Sequence, residues 1–72
     1  RVGIYIENVF AGSPADRAGI RPGDFLVRLG DAYVAEPLDF QKALYLAGIG
    51  REVECEFFRE GEVFKQRLRI EE

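Results

Sequence analysis

The chain has 72 residues, 47% of them apolar or aromatic, and its 10 basic and 13 acidic side chains give a net charge of −3. This length fits one small domain with a modest core, and the apolar content argues against disorder. The mixed charges form no basic stripe, which excludes the usual nucleic-acid partner, and the longest apolar run, residues 43–47, is too short to span a membrane.

The first half of the chain predicts a strand over residues 2–9, followed by a short helix and a second strand. Ser13 is a good N-cap and Pro14 suits the first helical position, while Gly19 predicts the end of the helix. Asp24 follows a Pro-Gly turn and is expected to bond backbone amides there. Residues 25–29 then predict a strand that ends in a Gly-Asp hairpin turn.

The second half predicts a longer helix over residues 38–47 and a terminal hairpin. In the hairpin, Val53, Cys55 and Phe57 alternate with glutamates, and the returning strand alternates apolar with basic residues. The glutamate row should lie beside the Lys/Arg row on a solvated face. Cys55 and the three tyrosines are expected to be packing residues. The fold class is mostly β with two helices: a small, antiparallel, partly open sandwich or barrel, capped by the short and the longer helix.

Residues 11–24 read Ala-Gly-Ser-Pro-Ala-Asp-Arg-Ala-Gly-Ile-Arg-Pro-Gly-Asp, and this segment resembles the PDZ domain in its bacterial form. That form occurs in high-temperature-requirement serine proteases, C-terminal processing proteases and site-2 metalloproteases. The resemblance extends over nearly the whole chain, which is interpreted as a single PDZ-like domain, residues 1–72, truncated at its N-terminal side. It marks as scaffold Ser13, Pro14, Ala15, Gly19, Gly23 and Asp24.

The resemblance implies a peptide groove along the longer helix. Asp39 would be the first groove position and Ala43 the fifth, Leu46 would line a pocket for a C-terminal side chain, and Lys42 would lie at the rim. The alternative is that Ala43 and Leu46 belong to the core, that Asp39 is a helix N-terminal carboxylate and that Lys42 is solvated.

A PDZ domain of this type also holds a terminal carboxylate in an aliphatic-Gly-aliphatic loop. Val2, Gly3 and Ile4 match this bare pattern. Their distance from Ser13 favours a strand, so the carboxylate loop is expected to lie elsewhere. On this interpretation the chain contains only the helical wall of the groove, or another segment of the full protein completes the groove.

Catalysis is not expected of this chain. It contains no histidine, which excludes a Ser–His or Cys–His nucleophile, and no metal or cofactor motif is present. By resemblance, the function is binding of extended or C-terminal peptides by strand addition for an attached protease domain at the bacterial cell envelope or periplasm. The alternative is a structural spacer or docking domain that binds no free peptide.

Overall fold

A computed structural model describes residues 3–71. The elements in chain order are β1 (Ile4–Tyr5), α1 (Pro14–Arg17), β2 (Phe25–Leu29), β3 (Ala32–Tyr33), α2 (Pro37–Ala47), β4 (Glu52–Arg59) and β5 (Glu62–Arg69). The strands form one antiparallel sheet in the order β1-β2-β4-β5, with β3 also pairing with β2. The mostly β fold with two helices is therefore confirmed.

The core lies on one face of this sheet, beneath both helices. Alternation places Cys55 and Phe57 of β4 on the inner face, fully or almost fully buried, and Val53 packs against them. Phe57 stacks on Phe64 of β5 with ring centroids 5.4 Å apart. The inward row predicted from the β4 sequence is thus confirmed. The core residues are Ala18, Ile20, Leu26, Leu29, Val34, Ala43, Cys55, Phe57 and Ile70.

The first strand is much shorter than the prediction of residues 2–9. Within residues 3–9 of that prediction, which the structure describes, only Ile4 and Tyr5 pair with β2, opposite Leu26 and Phe25. Hydrogen bonds from the Ile6 amide to the Asp24 carbonyl and from the Gly23 amide to the Ile6 carbonyl then anchor the chain as it leaves the sheet. The prediction failed because the residues that favour a strand continue along the chain beyond Tyr5, whose partner Phe25 is the first residue of β2.

Exposure of the tyrosines is a second difference from the sequence analysis. Tyr5, Tyr33 and Tyr45 are 55%, 74% and 86% exposed, so none of them packs in the core as expected, although the Tyr5 ring contacts Phe25 on the surface. Their positions explain this. Tyr5 alternates outward from Ile4, Tyr33 ends a two-residue strand, and Tyr45 lies on the outer face of α2.

The short helix begins as its sequence predicts. Ser13 Oγ accepts a hydrogen bond from the Asp16 amide at 3.2 Å, and the Asp16 carboxylate accepts one from the Gly12 amide at 2.8 Å. This reciprocal cap satisfies amides that a four-residue helix leaves without partners.

We expect Ser13→Ala to lower the free energy of unfolding by about 1 kcal/mol, because it removes the cap acceptor for the Asp16 amide. Urea unfolding followed by circular dichroism measures this change. Ser13→Asp, which keeps an acceptor, is the matched control and should retain most of the stability. Equal losses in both variants would contradict the capping role.

Candidate functional site

The longer helix presents a mixed face beside a cleft. Ala43 is 3% exposed and belongs to the core, whereas Leu46, less than one turn further on, is 79% exposed. Phe40, Leu44 and Ala47 are partly buried against the core, as their spacing predicts. The helix therefore packs through one stripe and leaves an apolar side chain in solvent next to it.

The cleft has a volume of about 640 Å³ and lies at the C-terminal half of α2. Its apolar lining includes Ala43, Leu46 and Ala47 from the helix, with Leu29 and Val53 from the sheet. Charged residues from β2, from its hairpin turn, from β4 and from the position just before β4 also line it. These are Arg28, Asp31, Arg51 and Glu54. A cleft with an apolar lining and a charged margin can bind an apolar side chain of a peptide while the margin contacts the polar main-chain groups of that peptide.

A second hollow lies on the outer side of the same helix. It is lined by Leu38, Gln41, Lys42, Tyr45 and Leu46. Leu46 borders both hollows, so it forms the ridge between them. The structure thus brings Ala43 and Leu46 together at the cleft and places Lys42 in the neighbouring hollow.

Asp39 has a different environment from the other three predicted groove residues. Its Oδ2 atom accepts hydrogen bonds from the amides of Ala35 at 3.0 Å and Glu36 at 3.1 Å, and it lies outside both linings. These amide bonds lower the pKa of the Asp39 carboxyl below its usual value. Asp39 therefore caps the start of α2, and its role as a groove position stays a prediction.

The stretch proposed as a weak carboxylate loop lies at the start of β1. The Gly3 amide donates to the Val34 carbonyl at 3.2 Å, and Ile4 pairs with Leu26. Gly3 has a φ of +91°, and a Cβ there would lie 3.1 Å from the Phe25 Cβ, so glycine is required by both backbone conformation and space. Val2 lies outside the described residues, and a carboxylate loop formed by Val2, Gly3 and Ile4 stays a prediction.

The scaffold motif is held together by an ion pair that sequence reasoning missed. Asp24 is 1% exposed, and its carboxylate accepts two hydrogen bonds from Arg59, at 2.8 and 2.7 Å, and one from the Arg21 amide at 2.8 Å. Arg59 also donates to the Gly19 carbonyl and lies over the rings of Phe57 and Phe64. The amide bond to Asp24 was predicted, but the arginine is 35 residues away in sequence.

The predicted pairing of the glutamate row with the basic row is confirmed. The register places Glu54 opposite Arg67 and Glu56 opposite Lys65. In addition, Arg28 of β2 bonds both glutamates, Glu56 at 2.7 Å and Glu54 at 2.6 Å. Arg28 lowers the pKa of Glu54 chiefly through this hydrogen bond. The sequence of the β4–β5 hairpin does not indicate that β2, on the other side of β4, supplies a partner for these glutamates.

Within residues 3–71, no group of three His, Cys, Asp or Glu side chains is arranged to hold a metal ion. Over the same part of the chain, no helix is both long and apolar enough to cross a bilayer. Cys55 is fully buried, and burial raises the pKa of its thiol. The residues that line the cleft offer apolar contact and hydrogen bonding.

A two-layered fold of this kind, with a Gly-Asp scaffold turn and a cleft beside the longer helix, is the form of a PDZ domain. The family model for the PDZ domain matches residues 1–70, and the chain belongs to this family.

The curated relatives are serine proteases. The Do-like protease HtrA of Lactococcus lactis subsp. cremoris is 37% identical over 59 residues, which cover 82% of this chain and 14% of that protein. The Do-like HtrA of Bacillus subtilis is 30% identical over 71 residues, covering 97% of this chain and 16% of that protein. The chain thus spans only a small part of the length of these relatives.

Solved structures agree with this assignment. The HtrA3 PDZ domain, crystallised with a phage-derived ligand of sequence FGRWV, superposes with a TM-score of 0.80 at 26% identity, covering 97% of this chain and 61% of that one. The PDZ domain of an SdrC-like protein from Listeria monocytogenes also gives a TM-score of 0.80, at 14% identity, covering 96% of this chain and 72% of that one. Because its identity is only 14%, the second match supports the fold and nothing further.

Proposed function

We propose that this chain is a peptide-binding module in which α2 forms one wall of the groove. The observation that carries the proposal is the exposed Leu46 side chain beside a cleft floored by Ala43. An exposed leucine that borders a preformed apolar cleft gains burial when a ligand side chain enters it. Full burial of such a side chain contributes about 1.5–3 kcal/mol.

The main-chain part of this recognition is strand addition. β1 is a terminal strand of the sheet, and Ile6 directs both its amide and its carbonyl across to residues 23–24. Antiparallel alternation then directs the amide and carbonyl of Tyr5 toward the open edge. An extended segment that adds there would gain backbone hydrogen bonds independent of its sequence.

The ligand class follows from the lining of the cleft and from family membership. An apolar C-terminal side chain suits the pocket formed by Ala43, Leu46 and Ala47, and Lys42 near the rim favours acidic residues further along the peptide. The HtrA3 PDZ domain binds a ligand that ends in valine. By analogy, this chain recognises extended or C-terminal peptide segments with an apolar last residue.

The host proposed for this module is a serine protease of the bacterial cell envelope, because the curated relatives are Do-like HtrA serine proteases. In such a host the module, itself non-catalytic, would capture peptide ends and deliver them to the protease domain or regulate it. A spacer that binds no free peptide is the competing function.

Binding of the FGRWV peptide, followed by fluorescence of its tryptophan, tests the proposal. We expect saturable binding by the wild-type chain and at least tenfold weaker binding by Leu46→Glu, because a carboxylate at the cleft opposes burial of an apolar side chain. Val63→Glu is the matched control: it alters an exposed apolar residue of β5, 55% exposed, and should leave affinity unchanged. Equal affinity in all three proteins would contradict the role of the α2 cleft in binding, and no binding by the wild type would support the spacer.

A further inference from the structure

An apolar row crosses the outer face of the sheet. The register pairs Tyr5 with Phe25, Phe25 with Phe58 and Phe58 with Val63, so these four side chains are adjacent, one from each of β1, β2, β4 and β5. Directly paired residues point to the same face. Their neighbours Ile4, Leu26, Phe57 and Phe64 all face the core.

All four members of the row remain accessible to solvent. Tyr5 and Val63 are each 55% exposed, Phe25 is 38% exposed and Phe58 is 39% exposed. The rings of Tyr5 and Phe25 are in contact, with centroids 5.3 Å apart. Since aromatic side chains present about 150–250 Å² each, the exposed part of the row amounts to roughly 400 Å². The largest apolar patch on a typical monomer covers about 300–600 Å² and is often functional, so a contiguous patch of this size on a small domain is a candidate interaction site.

The charges beside the row are arranged in pairs. Arg28 of β2 and Glu56 of β4 are opposite each other in the register and bonded at 2.7 Å. They flank Phe25 and Phe58 on the same strands. A two-fold axis parallel to the strands, between β2 and β4, would exchange these two strands and exchange β1 with β5.

That operation makes the surface complementary to itself. Phe25 would face Phe58 of a second copy and Tyr5 would face its Val63, so the row would pack on the row. Arg28 would face Glu56 of the second copy, and the facing charges would be of opposite sign. An isologous interface requires this kind of self-complementarity, and aligned packing of two sheets is a common geometry.

We propose that the apolar row, Tyr5, Phe25, Phe58 and Val63, is the contact surface of a face-to-face homodimer of this domain. Two rows of this size bury roughly 800 Å² together, which is below the roughly 1,200 Å² of stable complexes. The dimer is therefore weak and forms with rising concentration. The row lies on the outer face of the sheet and shares no residue with the lining of the α2 cleft.

Sedimentation velocity and amide shift mapping from micromolar to millimolar protein test the dimer. We expect the sedimentation coefficient to rise with concentration and the concentration-dependent shifts to cluster at the row. Phe58→Glu and Val63→Lys should each weaken association at least tenfold, since each places a charge in both halves of the interface.

The matched control is Tyr45→Glu, which alters an aromatic residue 86% exposed on α2 and should leave association unchanged. A dispersed amide spectrum shows that each variant is folded. A chain that stays monomeric at millimolar concentration would overturn the proposal. Association that Tyr45→Glu abolishes and Phe58→Glu does not would overturn it equally.

Discussion

Asp24→Ala is expected to lower the free energy of unfolding by about 3–5 kcal/mol, because it removes one partner of a buried ion pair and leaves the other without its charge partner. The Asp24 carboxylate is the acceptor for two Arg59 bonds and for the Arg21 amide. Domains of this size have unfolding free energies of about 4–11 kcal/mol. The variant should therefore lose much of its stability, as measured by urea unfolding.

The same pair predicts a pH dependence. The hydrogen bonds that the Asp24 carboxylate accepts from Arg59 hold the pKa of Asp24 below its usual value. A carboxyl whose folded pKa is lowered contributes stability that is complete above its unfolded pKa, about 3.9, and is lost as pH falls through the folded value. Wild-type stability should therefore fall more steeply than that of Asp24→Asn as the pH drops below about 4. Other carboxyls act equally in both proteins, so the difference isolates Asp24.

The matched control for Asp24→Asn is Asp31→Asn, which alters an exposed carboxylate in the hairpin turn. Surface substitutions of this kind change stability by less than about 0.5 kcal/mol. Equal losses of unfolding free energy in Asp24→Asn and Asp31→Asn at neutral pH would contradict the account. They would mean that the Asp24–Arg59 pair does not hold the turn after α1 against the β4–β5 hairpin.

Phe57→Ala is the second substitution with a large expected effect, a loss of about 3–5 kcal/mol. Phe57 is 2% exposed, stacks on Phe64 and lies beneath the Arg59 guanidinium, so truncation opens a cavity and removes the ring contacts. Phe58→Ala is the matched control, since it removes the same side chain one residue further on, from the outer face. Dilute protein, where the proposed dimer does not form, is the right condition for comparison.

We expect Phe58→Ala to cost about 1 kcal/mol, a typical loss for a substitution that leaves no buried cavity. Thermal unfolding by calorimetry compares the two variants. Similar losses in both would mean that the inner and outer faces of β4 contribute equally, contrary to the alternation of burial along the strand.

Local signals explain which elements the sequence predicted. Ser13 and Pro14 define the start of α1 within the span of a single turn, and the alternation around Cys55 identifies the inner face of β4. The Glu60-Gly61 turn is equally local, with φ of 50° and 84°, as a two-residue hairpin loop requires. None of these features depends on residues distant in the chain.

The features that escaped prediction depend on which strands become neighbours. The Asp24–Arg59 pair and the Arg28 bonds to the glutamates join residues 26–35 positions apart. The apolar row likewise requires the register of four strands, since Phe25 and Phe58 are unremarkable until β2 lies beside β4. The exposure of Leu46 beside a buried Ala43 also depends on the orientation in which α2 packs on the sheet. The spacing of apolar residues along the helix does not determine that orientation.

Contacts between a bound peptide and the α2 wall test the central claim most directly. Intermolecular NOEs in the complex with FGRWV should connect the methyl groups of its last valine with those of Ala43 and Leu46. NOEs from that valine only to residues of the outer sheet face, or none at saturating peptide, would contradict the claim that the cleft beside α2 holds the end of the ligand.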